Sequence, residues 1–142
     1  MKDFLAVMGG LLACLLAVAL VAAVWWQTPT LRVDTDGSRA IAHMELMGEY
    51  PSNIRSIEIS DVDRGVTLWR IESRGDFFQI HSVPLRVGAN ATDVQLFWGL
   101  ERQIVPEAKP TFELAPRTAY RIRICPDAWL GLCQSASFRL AS

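Results

Sequence analysis

Between Phe4 and Trp26 the chain carries no charged side chain: FLAVMGGLLACLLAVALVAAVWW, 23 residues in a row. At about 1.5 Å of rise per residue, a helix of that length crosses the roughly 30 Å hydrocarbon core of a bilayer. The run therefore divides the chain into a membrane helix or signal anchor, residues 1–26, and a water-soluble part that begins at Gln27. Residues 27–38 include Pro29, Asp34, Asp36 and Gly37, a composition that reads as a short stalk. The folded unit is then expected over residues 39–142, within the usual size of one domain.

Three fates are open to the apolar run. A cleaved secretory signal needs an apolar stretch of only about 7–15 residues and a small-residue cleavage site. Ala17-Val18-Ala19 offers such a site, but cleavage there leaves Leu20 to Trp26 as an apolar stub. A lipoprotein reading rests on Leu11-Leu12-Ala13-Cys14, with Cys14 lipidated, yet the residues that follow stay apolar. A retained single helix is preferred, because Trp25 and Trp26 fall at its outer end and indole rings favour the membrane–water interface.

Cys125 and Cys133 are the only cysteines beyond the apolar run. Their parity places them at the facing ends of the last two strands, where antiparallel neighbours are about 4.5–5.5 Å apart at Cβ. A disulfide is expected, and with it an oxidising compartment outside the cytoplasm, in a bacterium the periplasm. Metal binding would need two more ligands than these two thiols supply. The formal charge is −1 with both signs interspersed. A nucleic-acid binder would show a basic face, and an anionic-lipid binder a basic cluster beside the helix; neither pattern is present.

Beyond the stalk the chain alternates with a period of two between turn signals, the pattern of an all-β antiparallel sandwich of about seven strands. Ala42, Met44 and Leu46 alternate, as do Ile57 and Ile59, then Val94, Leu96, Trp98 and Leu100. Tyr120, Ile122 and Ile124 share one face with Arg121 and Arg123 on the other, and Ala136, Phe138 and Leu140 close the chain.

The stretch Leu114-Ala115-Pro116-Arg117-Thr118-Ala119-Tyr120-Arg121-Ile122-Arg123-Ile124 resembles the L-x-P-x-T-x-Y-x-V-x-V signature of fibronectin type III domains. The resemblance implies a tyrosine corner. In such a corner Leu114 plugs the end of the sandwich, Pro116 stiffens the crossing loop, and the Tyr120 hydroxyl bonds to backbone near Pro116.

The candidate binding loop is Asp127, Trp129 and Leu130, between the two cysteines. The expected arrangement folds Trp129, with Leu130 and Leu132, back over the core, as large aromatics are usually buried. The alternative leaves Trp129 exposed as an interaction anchor. Arg74-Gly75-Asp76 matches an adhesive tripeptide of type III domains, but Gly and Asp also serve a turn. Asn90-Ala91-Thr92 is a glycosylation sequon. His43 and His81 supply neither a metal site nor a triad without further partners, so they are expected as ordinary surface or core residues.

No cofactor motif is present. The sequence predicts a non-enzymatic, membrane-anchored module that binds another envelope protein. The alternatives are carbohydrate or peptidoglycan binding through Trp129, Trp69 or Trp98 if exposed, and a hydrolase built around His43 or His81.

Overall fold

The turns set the frame of the molecule. In the computed structural model, which describes residues 2–45, 52–73, 78–80, 82–91, 101–105 and 111–141, strands β1 (Thr30–Asp36) and β2 (Arg39–Glu45) form a hairpin. Its two-residue connection is Gly37-Ser38, and Gly37 has φ 56°. A hairpin of that length needs positive φ at its first central position, which glycine adopts without steric penalty. Strand β3 (Ser52–Asp61) pairs with β4 (Val66–Ser73) across a second turn. There the Asp61 carboxylate accepts from the Arg64 amide at 3.0 Å, so a buried charge is used to close the turn.

Short strands follow: β5 (Phe78–Ile80), β6 (Ser82–Arg86), β7 (Gly88–Ala91), β8 (Glu101–Val105) and β9 (Thr111–Leu114). The chain ends in β10 (Ala119–Pro126) and β11 (Gln134–Arg139). All the pairings are antiparallel. One sheet runs β1-β2-β6, a larger one runs β11-β10-β3-β4-β8 with β5 also on β3, and β7 pairs with β9. β1 lies alongside β11, so the first and last strands bring the two larger sheets together.

The protein is thus mostly β, as expected, but the count of about seven strands in a single sandwich is too low. Eleven strands in three sheets lie among the described residues. Most of the extra ones are short, three to five residues, and even where they alternate, as in β6 and β9, they present only two buried side chains each. The segment expected as a stalk also contains β1. Its burial is weak, with only Leu31 and Val33 packing on the core, because it is a charged edge strand. Leu46 and the run Val94–Leu100 lie outside the described residues.

The core follows from cross-strand rows. Ile57 is opposite Ile124 on one side and Ile71 on the other, while Ile59 lies between Ile122 and Trp69. All six are buried. Each contributes about 1.5–3 kcal/mol relative to exposure. β2 and β6 add Ala40, Ala42, Met44, Val83 and Leu85 to the same cluster. Trp69 stacks on Phe112 with ring centroids 5.4 Å apart.

Helix α1 (Lys2–Gln27) projects from this body. From Val7 to Gln27 it is long and apolar enough to cross a membrane, and its side chains are exposed on all sides. Its length and apolar character fit a single membrane span or a signal anchor.

Candidate functional site

The end of α1 is tied down by side chains. The Thr28 hydroxyl donates to the Val24 carbonyl at 2.7 Å, one of the four carbonyls a helix end leaves open. Pro29 cannot continue the helix, is buried, and is followed at once by β1. Only Thr28 and Pro29 separate helix from sheet.

The loop after β10 meets this junction. Its base is the disulfide Cys125–Cys133, with Cα atoms 4.1 Å apart. The Asp127 amide donates to the Asn53 carbonyl at 3.0 Å, which holds the loop to the start of β3. The Leu130 amide then donates to Gln27 Oε1 at 3.0 Å, and the Leu132 amide to Thr28 Oγ1 at 3.1 Å. Gly131 allows this approach, since a Cβ there would lie 2.6 Å from the Gln27 carbonyl oxygen and 2.6 Å from Pro126 Cγ.

Held in this way, Trp129 does not fold back over the core. It is 95% exposed and Leu132 is 57% exposed, while Leu130 is half-buried and Asp127 exposed. The reason is geometric: the residues on either side of Trp129 are committed to Asn53, Gln27 and Thr28, so its side chain points outward. Trp25 and Trp26, 78% and 65% exposed, lie one turn or less from the junction. A groove of about 570 Å³ runs between the last turns of the helix and the loop, lined by Leu20, Val21, Val24, Trp25, Pro29 and Leu132 among others.

At the opposite end of β10 the Tyr120 hydroxyl bonds to backbone next to Pro116, the contact expected of a tyrosine corner. Tyr120 is buried; its hydroxyl accepts from the Ala115 amide at 2.6 Å and lies 3.3 Å from the Ala115 carbonyl, toward which it donates. Leu114 is buried and Pro116 exposed. Tyr120 also packs on Phe138 at 5.7 Å. This corner holds the fold together at the end away from the helix.

Other sequence candidates resolve differently. Trp69 is fully buried and cannot stack on a ligand. Asn90 is buried as well. Its Oδ1 accepts from the Arg86 amide at 2.8 Å, and its Nδ2 donates to the carbonyls of Arg86 and Gly88 at 2.8 and 3.0 Å. The sequon asparagine is therefore spent on a turn. His43 lies 3.7 Å from Asp34, and Ser82 is its register partner on β6. Asp34 is also bonded by Arg32 at 2.8 Å, and among the described residues no side-chain hydrogen bond joins His43 to Ser82, so the three do not form a relay. His81, Trp98 and Arg74-Gly75-Asp76 lie outside the described residues. Among the described residues no group of three metal-ligating side chains converges.

The outward face of the large sheet is polar. Arg70 is shared between Glu58 at 3.8 Å and Glu72 at 3.6 Å. Arg121, Arg123 and Arg139 occupy the same face, with Ser60 and Ser137 beside Arg121. None of these three arginines has an ion-pair partner among the described residues.

What the sequence reading missed is the part played by Gln27 and Thr28. The available signal was Pro29 directly after the apolar run and a glycine inside the cysteine loop. No protein-family model matches the chain, and no curated protein matches it.

Proposed function

We propose that this chain is a membrane-anchored module of the cell envelope, with a fibronectin type III-like sandwich held outside the cytoplasm to bind another envelope protein, and with no catalysis of its own. The observation that carries this reading is the junction. A helix fit to span a bilayer passes into the sandwich through two residues and is bonded to its disulfide loop. Such a mount presents the domain at a fixed height and orientation above the membrane, which serves recognition of a neighbour in the same membrane system.

Three further features support it. A structural disulfide belongs to an oxidising compartment, in a bacterium the periplasm. The strand order agrees with immunoglobulin-type sandwiches, where the first two strands share a sheet and the third strand joins the last two in the other. The row Arg121, Arg123 and Arg139, without an ion-pair partner among the described residues, offers donors of the residue type enriched at protein interfaces, and points to an acidic partner surface.

Photocrosslinking in native membranes tests the reading. A photoreactive residue at position 121 or 123 should capture an envelope protein, and capture should fall in the double variant Arg121→Glu/Arg123→Glu. Recovery of the uncrosslinked chain alone would argue against it.

The exposure of Trp129 favours a second reading, carbohydrate or peptidoglycan binding, since an indole face can stack on a sugar ring. Trp69 no longer supports that reading. Cosedimentation with peptidoglycan that disappears in Trp129→Ala would establish it.

A further inference from the structure

We infer that the disulfide-tied loop is a second foot on the bilayer, in which Trp129 and Leu132 enter the interfacial region of the same membrane that α1 crosses. The inference rests on the membrane-spanning reading of α1 and not on which protein the domain binds.

The loop is tied to the helix at the level of the interface. Residues 130 and 132 are hydrogen-bonded to residues 27 and 28, and the residues just before these are Trp25 and Trp26. Leu132 lines the same groove as Leu20, Val21 and Val24, side chains that lie within the apolar span. With that span in hydrocarbon, Leu132 is brought to the acyl boundary and Trp129, three residues away, to the headgroup layer. Trp129 is then the third indole at one level, beside Trp25 and Trp26. Indoles are enriched there because the ring prefers a region that is apolar on one side and wet on the other.

The exposures agree with this placement. A 95% exposed tryptophan and a 57% exposed leucine on one short, braced loop form an apolar surface that the chain itself leaves uncovered. The brace also lowers the ordering cost of contact, since the disulfide and the hydrogen bonds from the amides of Asp127, Leu130 and Leu132 hold the loop before it meets lipid. The chemistry of the contact is apolar. The only charged side chain between the two cysteines is Asp127, so attraction to anionic headgroups plays no part. Contact with neutral phosphatidylcholine, insensitive to salt, is the specific expectation.

The test uses the full chain reconstituted in phosphatidylcholine vesicles, with and without lipids brominated near the headgroup end of the acyl chain. Flotation with the vesicles after alkaline washing first establishes that α1 holds the chain in the bilayer. The difference in emission between wild type and Trp129→Phe isolates Trp129, and unfolding curves should match because the side chain is exposed. Trp129 emission should be shifted to the blue, lose most of its intensity in brominated lipid, and resist aqueous iodide equally at low and high salt. Leu132→Asp should reverse these changes in part.

Full access of Trp129 to iodide in a chain that still floats would overturn the inference while leaving the anchor intact. Loss of flotation would remove the anchor and the foot together. Shielding that needs anionic lipid, a protein from the envelope or a glycan would assign the loop to that partner and overturn the inference as well.

Discussion

The amide of Leu130 donates to Gln27 Oε1 at 3.0 Å, joining residues 103 positions apart in the chain. With the parallel bond from Leu132 to Thr28, it makes the end of the helix and the adjoining end of the β body one mechanical unit. The contact depends on close backbone approach at Gly131. Gly131→Ala places a methyl group within 2.6 Å of a carbonyl and a proline ring, neither of which is a flexible side-chain end. The expected loss is about 1–3 kcal/mol, as for other overpacked sites. Gln27→Ala, which removes one part-buried acceptor, should lose about 0.5–1.5 kcal/mol. Chemical denaturation of both variants in detergent checks the order; an unchanged midpoint for Gly131→Ala would rule out the close approach.

At the other end of β10, Tyr120→Phe keeps the ring but leaves the Ala115 amide without its 2.6 Å partner. A loss of about 1–3 kcal/mol is expected. Tyr120→Ala adds a cavity beside Phe138 and should lose about 3–5 kcal/mol. If Tyr120→Phe loses less than about 0.5 kcal/mol, it behaves as an ordinary surface change and the corner does not brace the fold.

The disulfide closes a loop of sequence separation 8. Replacing both cysteines, Cys125→Ser/Cys133→Ser, should lower stability by about 2–3 kcal/mol, the loop-closure value for so short a ring. Reductant should produce the same shift in the wild-type chain and none in the double variant. A reductant effect that persists in the variant would trace to something other than this bond.

Asn90 satisfies one amide and two carbonyls of its own turn. Asn90→Ala unpairs them in a part-buried setting and should lose about 1–3 kcal/mol. Because the side chain is buried and bonded, the sequon should also stay unmodified when the chain passes through a eukaryotic secretory pathway. A mass shift of one glycan at this position would contradict the structure.

Features written in local pattern were legible without coordinates. An unbroken apolar run determines a helix that can span a bilayer, and alternation at Tyr120, Ile122 and Ile124 determines a strand with one buried face. A contour of a few residues between Cys125 and Cys133 makes their pairing a short-range event, and the spacing Leu114–Pro116–Tyr120 places a corner within one residue. Each depends on neighbours in sequence. The rest depended on partners that sequence does not place. Residues 30–36 read as a stalk because their two apolar side chains are few; pairing with β2 makes them a strand. Two tryptophans ended at opposite extremes, Trp69 buried against Phe112 and Trp129 turned outward. Only the tertiary structure decided between them, because burial is set by whether distant segments arrive to cover a side chain. For Trp129 the distant segments that arrived, the start of β3 before it and the end of the helix after it, took the backbone on either side and left the indole free.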